Sequence, residues 1–260
     1  MIGLVAVSHS SALAEAAVEL ALQMGGEHPP AVRVAAGGPD GDLGTDAVAI
    51  AAAIDDADSG DGVLVLMDLG SAILSAETAL EFVAAPDRVR LSAAPFVEGL
   101  VAAVVTAAGG ADLAAVAAEV RGAGAAKQRQ LGDTGEPASA GIAPGGHAPD
   151  GSASEKQASG QAGAAGDADA LSFEAVVSNP SGLHARPAAL FVKTASRYDA
   201  DVRIVDLDAG SDEVSGRSLL ALMALGVRQG SRVRVSASGP EARPVLEELR
   251  AAIDDAFGER

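Results

Sequence analysis

Two of the four histidines in the 260-residue chain stand where a helix begins. His184 lies in SGLHARPAAL, residues 181–190. Proline is tolerated without loss only in the first turn of a helix, so Pro187 puts a helix start near 185 and His184 at its mouth. Unpaired backbone N–H groups and the positive end of the helix dipole gather there and favour an anion. Arg186 adds a planar fork of donors suited to phosphate oxygens. A neutral imidazole is a competent nucleophile near neutral pH. Together these describe a histidine that accepts a phosphoryl group and holds it in a labile form. A histidine that only caps its helix fits the same spacing.

His9 repeats the pattern in GLVAVSHSSALAEAAVELA, an apolar strand followed by Ser8-His9-Ser10-Ser11 and a helix. It falls at the carboxyl end of the first strand, beside a helix start that Ser10 or Ser11 can cap. Asp68 closes a later strand in LVLMDLGSAILSAETALE and is expected at the same edge of the sheet. A carboxylate there accepts a hydrogen bond from one imidazole nitrogen and leaves the other free as nucleophile. Thr45, in GTDAV at another helix start, is placed to donate to a phosphoryl oxygen. Asp68 and Thr45 also fit plain helix-capping roles. His28, before two prolines, and His147, in a Gly-rich stretch, have no such surroundings.

The elements that must position these residues are legible as periodicity. Residues 1–121 alternate short β-rich runs (2–7, 31–36, 62–67, 88–94) with helical patterns (11–24, 45–57, 71–84, 96–108, 112–121). This predicts an α/β domain with a mainly parallel sheet flanked by helices, whose sites lie at the carboxyl ends of the strands. Residues 122–170 are Gly, Ala, Ser and Pro without apolar periodicity and read as a disordered linker. A flexible coil of that length spans roughly 40 Å root-mean-square. Residues 171–260 read as strand (171–177), helix (185–197), strand (200–207), short helix (216–225), strand (231–238) and a final helix to about 256, an α+β open-faced sandwich.

Composition excludes several classes. The net charge is −18, of which residues 1–121 carry −13 and residues 171–260 only −2. Such an acid excess disfavours binding to nucleic acid and suits either solubility or a partner face bearing Arg. With five Phe, one Tyr and no Trp there is no platform for stacked bases. The chain has no Cys, which rules out disulfides and thiolate zinc sites and fits a reducing cytosol. The first basic residue is Arg33, so the apolar start is not read as a signal peptide. The longest apolar run, 100–111, is too short and Gly-rich to span a bilayer. A soluble cytoplasmic protein is expected. Walker A and dinucleotide-binding spacings are absent, so neither a bound nucleotide nor another cofactor or metal is expected.

At this point a resemblance enters. NPSGLHARPAALFVKTASRYDADVRI and GRSLLALMALGVRQGSRVRVSASGPE, within 171–257, are similar to the phosphocarrier HPr of the phosphoenolpyruvate-dependent phosphotransferase system. The likeness implies a βαββαβα fold, phosphorylation of His184 on Nδ1 by enzyme I, and charge neutralisation by Arg186. Ser218 falls where many HPr proteins carry a regulatory serine, though it also fits an unmodified helix start. GLVAVSHSSALAE, GTDAV, MDLGSAILSAETALE and APFVEGLVAAVVTAAGGADL, in residues 1–121, resemble the N-terminal domain of the DhaM family. These are phosphotransfer subunits of phosphoenolpyruvate-dependent dihydroxyacetone kinases, related to mannose-type IIA domains. That resemblance implies that His9 is phosphorylated and that the domain forms a homodimer. It further implies that the phosphoryl group goes to ADP on a DhaL subunit, with dihydroxyacetone supplied by DhaK. Because the chain ends just after the HPr-like unit, enzyme I is expected from another chain. Two other readings fit: a mannose-type IIA–HPr fusion feeding a membrane sugar transporter, and a regulatory phosphocarrier whose phosphorylation state is read by a partner.

Overall fold

The computed structural model describes residues 1–39, 41–130 and 171–259. Strands β1 (Gly3–Ser8) and β3 (Val63–Met67) are buried at every position, as strands covered on both faces must be. Strand β2 (Val32–Ala36) pairs with β1 and β4 (Val89–Ser92) pairs with β3, giving the order β2-β1-β3-β4. Every pairing is parallel, so the sheet expected to be mainly parallel is wholly so among the described residues. Side chains alternate between its faces. Leu4, Ala6, Leu64 and Leu66 pack toward α1 (Ser11–Met24), α4 (Phe96–Ala108) and α5 (Leu113–Arg121). Val5, Val7, Val63 and Val65 pack toward α2 (Ala47–Ala57) and α3 (Ser71–Ala79).

Two helix ends differ from the periodicity. Helix α2 starts at Ala47 because Asp46, not Thr45, is its N-cap, its carboxylate accepting from Val48 N–H at 2.9 Å. Helix α3 stops at Ala79 and not near 84. Thr78 Oγ1 donates back to the Leu74 carbonyl at 2.8 Å, a bond that loosens a helix from within, and Asp55 draws the Ala84 N–H away at 3.0 Å.

The linker expected over 122–170 also needs correction at its start. A short helix, α6 (Ala125–Gln130), follows α5, and Lys127 pairs with Glu98. Ala123 is buried, so this stretch is part of the packed domain. It packs against the helix Leu219–Ala224 of the second unit, with no apolar period to announce it. The rest of the expected linker, with His147, lies outside the described residues.

The second unit runs β5 (Leu171–Val176), α7 (Ala185–Ser196), β6 (Asp201–Asp206), β7 (Val214–Ser215), α8 (Leu219–Ala224), β8 (Arg232–Ser238) and α9 (Ala242–Asp254). The sheet is antiparallel in the order β5-β8-β6-β7. Val202, Ile204, Val233, Val235 and Ala237 are buried with residues of the three helices, while Arg232 and Arg234 point away. On that open face Arg234 bridges to Glu174 across the β5–β8 pair at 2.8 Å. This is the α+β open-faced sandwich expected. The two-residue β7 has no sequence signature, being too short to show alternation.

The two units pack together. Helix α7 meets α1 and α4, α8 meets α4 and α6, and one buried apolar cluster runs through both. No helix among the described residues is long and apolar enough to cross a membrane.

The turn ahead of α7 has one backbone position that only glycine fits well. Gly182 has φ +66°, and a Cβ there would collide with the Val227 carbonyl, the same carbonyl that accepts from Leu183 N–H at 3.0 Å. Gly182→Ala is expected to cost about 1–3 kcal/mol, read as a lower urea midpoint for residues 171–259. An unchanged midpoint would show that the turn relaxes freely.

Candidate functional site

The first site forms where the strand order reverses. The chain leaves β1 toward β2 on one side and returns to β3 on the other, so the carboxyl ends of β1 and β3 flank a crevice. His9 follows β1 and Asp68 follows β3, placed side by side by the β1–β3 register and by the Asp68 N–H donating to the Val7 carbonyl at 3.1 Å. His9 Nδ1 lies 3.0 Å from Asp68 Oδ1, and the His9 backbone N–H donates to Asp68 Oδ2 at 2.9 Å. Ser8 Oγ donates to the same Oδ2 at 2.9 Å, and Leu69 N–H donates to Oδ1 at 2.7 Å. The carboxylate is thus filled and almost wholly buried, while the imidazole is a quarter exposed.

Burial alone would push Asp68 up, but the hydrogen bonds from the His9 N–H, the His9 ring, Ser8 and Leu69 outweigh it and hold the carboxyl below its ordinary range. Asp68 is therefore an anion at neutral pH, and Nδ1 of His9 is the nitrogen that carries the hydrogen. In the neutral ring Nε2 then keeps its lone pair. It lies 3.0 Å from Ser71 Oγ, which can donate to it. Ser71 is the first residue of α3, and Ser10 caps α1, accepting from Leu13 N–H at 3.4 Å. His9 thus stands between two helix N-termini, a setting that favours a phosphoryl group on Nε2.

Thr45 is brought close, but not as a lone donor. Gly44 N–H donates to the His9 carbonyl at 3.1 Å, and Thr45 Oγ1 shares a hydrogen bond of 2.7 Å with Ser75 of α3. Ser8 and Ser71 were not singled out in the sequence. The signal for Ser71 was its position, a hydroxyl at the first turn of the helix that Asp68 leads into.

The second site uses the opposite ring nitrogen. His184 is the N-cap residue of α7, yet its side chain makes no capping bond. Instead its Nε2 lies 3.0 Å from Glu259 Oε2, leaving Nδ1 open. Glu259 arrives from the far end of the chain. After α9, Ala256, Phe257 and Gly258 take φ of 51°, 52° and 75°, a left-handed turn that buries Phe257 and swings Glu259 over the helix mouth. Asn179, fully buried, ties the turn by donating to the Gly182 carbonyl. Arg186 is exposed in the first turn and makes no ion pair with a described residue. Ser218 caps α8, accepting from Ala221 N–H at 3.0 Å. The histidine faces an open cleft of about 630 Å³ lined by Ser181, Leu183, Met223, Val227 and Arg228.

Each site is a histidine held by a carboxylate at the start of a helix, and the comparisons place each within a matched domain. Residues 3–117 match the family described as the PTS system fructose IIA component. Residues 171–255 match the family of the PTS HPr component phosphorylation site. The molecule is a IIA-type domain fused to an HPr domain. Over its full length it is 40% identical to the PEP-dependent dihydroxyacetone kinase phosphoryl donor subunit DhaM of Escherichia coli (strain K12), and 38% identical to that of Klebsiella michiganensis. It covers 51% of each, so the chain spans about half the length of the curated relatives it matches. A solved HPr of Thermoanaerobacter tengcongensis is 36% identical over 35% of this chain and 98% of its own, with a TM-score of 0.33. Over its whole length the chain is thus similar to the DhaM phosphoryl donor subunits.

The depressed Asp68 carboxyl has a pH signature. A carboxyl whose folded pKa lies below its unfolded value, about 3.9, stabilises the fold above that value and stops doing so as pH falls through the folded pKa. Asp68→Asn should therefore be less stable than the parent by about 1–3 kcal/mol at pH 7, and the gap should close below about pH 4. Urea titrations across that range measure it. A gap independent of pH would mean that the charge contributes nothing.

Proposed function

We propose that the chain is a two-station phosphohistidine relay of the phosphotransferase system, and not itself the kinase. Enzyme I, charged by phosphoenolpyruvate, presents its phosphoryl group to His184. The Nδ1 lone pair attacks phosphorus and the bond to the enzyme I donor breaks. Nε2–H stays on Glu259 throughout, so the ring needs no proton transfer to become a phosphoramidate. Arg186, exposed two residues on from His184 and without an ion-pair partner among the described residues, neutralises the phosphoryl oxygens. In the second step Nε2 of His9 attacks phosphorus, and the bond to Nδ1 of His184 breaks. Asp68 holds the Nδ1–H of His9 and stabilises the cation character that develops in the ring. Ser71 turns from Nε2 to donate to a phosphoryl oxygen, with the 44–45 turn close by. Positioning and charge neutralisation supply most of what phosphoryl transfer requires.

The observation that carries this reading is the paired geometry. In each domain a carboxylate occupies one imidazole nitrogen at 3.0 Å, and the other nitrogen stands at a helix N-terminus. The acceptor after His9 is ADP held on a DhaL subunit, with dihydroxyacetone bound by DhaK; the relatives that cover the whole chain are phosphoryl donor subunits of that kinase. The working form is a cytoplasmic homodimer formed through the first domain, with the residues that follow α6 up to 170 as the tether and 171–260 as the carrier. A tether of that length raises the concentration of one station at the other to the order of mM. Ser218, at the start of α8, is a modification site that adjusts the carrier.

With enzyme I and labelled phosphoenolpyruvate, His184→Ala should lose label at both histidines, and His9→Ala should keep it at His184 alone. Phosphorus–nitrogen coupling should place the group on Nδ1 of His184 and Nε2 of His9. Full phosphorylation of dihydroxyacetone by either variant in the presence of DhaK and DhaL would end the relay reading.

A further inference from the structure

A relay requires its two histidines to meet, yet in this structure each ring is engaged within its own domain. His184 is on Glu259 and faces a cleft lined only by residues 181–228, while His9 is on Asp68 and Ser71. The domains touch elsewhere. Glu119, in the last turn of α5, reaches the start of α8. Ser218 Oγ lies 2.9 Å from both of its carboxylate oxygens and donates to the carboxylate, and Leu220 N–H donates to Oε1 at 2.9 Å. Leu220 is buried beside them, its Cδ1 3.7 Å from where a Cβ on Gly122 would stand. At the other end of the interface a Cβ added to Gly109 would lie 3.1 Å from that of Ser196, and one added to Gly26 would lie 2.8 Å from Lys193 Nζ. Helix α1 starts beside His9 and ends before Gly26, roughly 21 Å away at 1.5 Å per residue. The end of α7 is therefore docked at the edge of the first domain remote from His9.

We infer that Glu119 latches the carrier domain to the first domain in a closed resting arrangement, which must open before His184 can deliver to His9. The inference that opening matters for delivery rests on the relay reading; the latch itself does not. A second negative charge at position 218 would face Glu119 at hydrogen-bond distance and release the latch.

The chain has no Cys, so one introduced thiol reports opening. In full-length Leu220→Cys protein, labelling by a maleimide should be slow and proportional to the open fraction. Glu119→Gln removes the charge from the carboxylate. Ser218→Asp keeps a capping side chain but reverses the contact. Each should speed labelling roughly tenfold or more, as expected for loss of charge-assisted hydrogen bonds. Separately, Gly109→Cys with Ser196→Cys should form a disulfide, the Cβ separation being a few tenths of an ångström under the usual range of about 3.5–4.5 Å. The oxidised protein should still accept phosphoryl at His184 from enzyme I. It should pass it to His9 at least tenfold more slowly, at dilutions where the rate per chain does not depend on concentration, and recover on reduction. Equal labelling rates in all three thiol proteins, no disulfide, or undiminished delivery in the oxidised form would overturn the inference. If the reduced protein labels His184 and never His9, the relay reading fails and the thiol rates alone decide the latch.

Discussion

An imidazole offers one nitrogen as a nucleophile when the other is held as a hydrogen-bond donor. The rest of this structure follows from that constraint. Both domains meet it with a carboxylate, but on opposite nitrogens: Asp68 takes Nδ1 of His9, and Glu259 takes Nε2 of His184. The choice is dictated by backbone geometry. In the first domain the carboxylate rises from the neighbouring parallel strand and also accepts the His9 backbone N–H, so it meets the ring nitrogen nearer the backbone. In the second the carboxylate comes from a distant segment and meets the ring at its tip.

The two carboxylates are secured to different degrees, and this bears on what each site does. Asp68 is fixed by four donors at the centre of a sheet whose strands β1 and β3 are buried throughout. Glu259 sits after a left-handed turn at Ala256 and Phe257, conformations that cost energy in residues bearing a Cβ. Burial of the Phe257 ring, worth about 2 kcal/mol, offsets part of that cost and is what keeps Glu259 over His184. Such a tail is the more easily displaced of the two anchors. That suits the carrier role proposed for this domain.

Much of the first site was legible because its signals are local. An apolar run ending in Ser-His-Ser-Ser and another ending in Met-Asp fix two strand ends, and in a parallel sheet the carboxyl ends share one edge. Pro187 likewise fixed the start of α7 and so the place of His184. What could not be read was set by packing between distant segments. Glu259 lies 75 residues from His184, and nothing in its surroundings marks it as a ligand for the ring. Ser218 was legible as a helix start, but its partner Glu119 is 99 residues away in another domain. Thr45 was placed near the site, yet whether its hydroxyl would be free or bound to Ser75 depended on how α3 packs. Helix α6 was hidden by composition, since Ala and Gly next to a Gly-rich tract carry no period.

The charge distribution poses a last physical question. Residues 1–121 carry −13, and the proposed relay would move a phosphoryl dianion onto them. At physiological ionic strength the screening length is about 8 Å, so most of those acidic groups act weakly at the ring. What acts at contact is the pair of helix N-termini flanking His9, together with the Ser71 hydroxyl. The nearest anion, Asp68, is opposed by four donors, one of them the ring it holds. The donors at contact thus favour a dianion at Nε2 despite the net charge of residues 1–121. An acidic surface around such a site leaves transfer possible and disfavours other polyanions, while any partner that docks there must bring positive charge at its rim. The carrier domain has Arg186 beside His184 and Arg228 in the adjoining cleft.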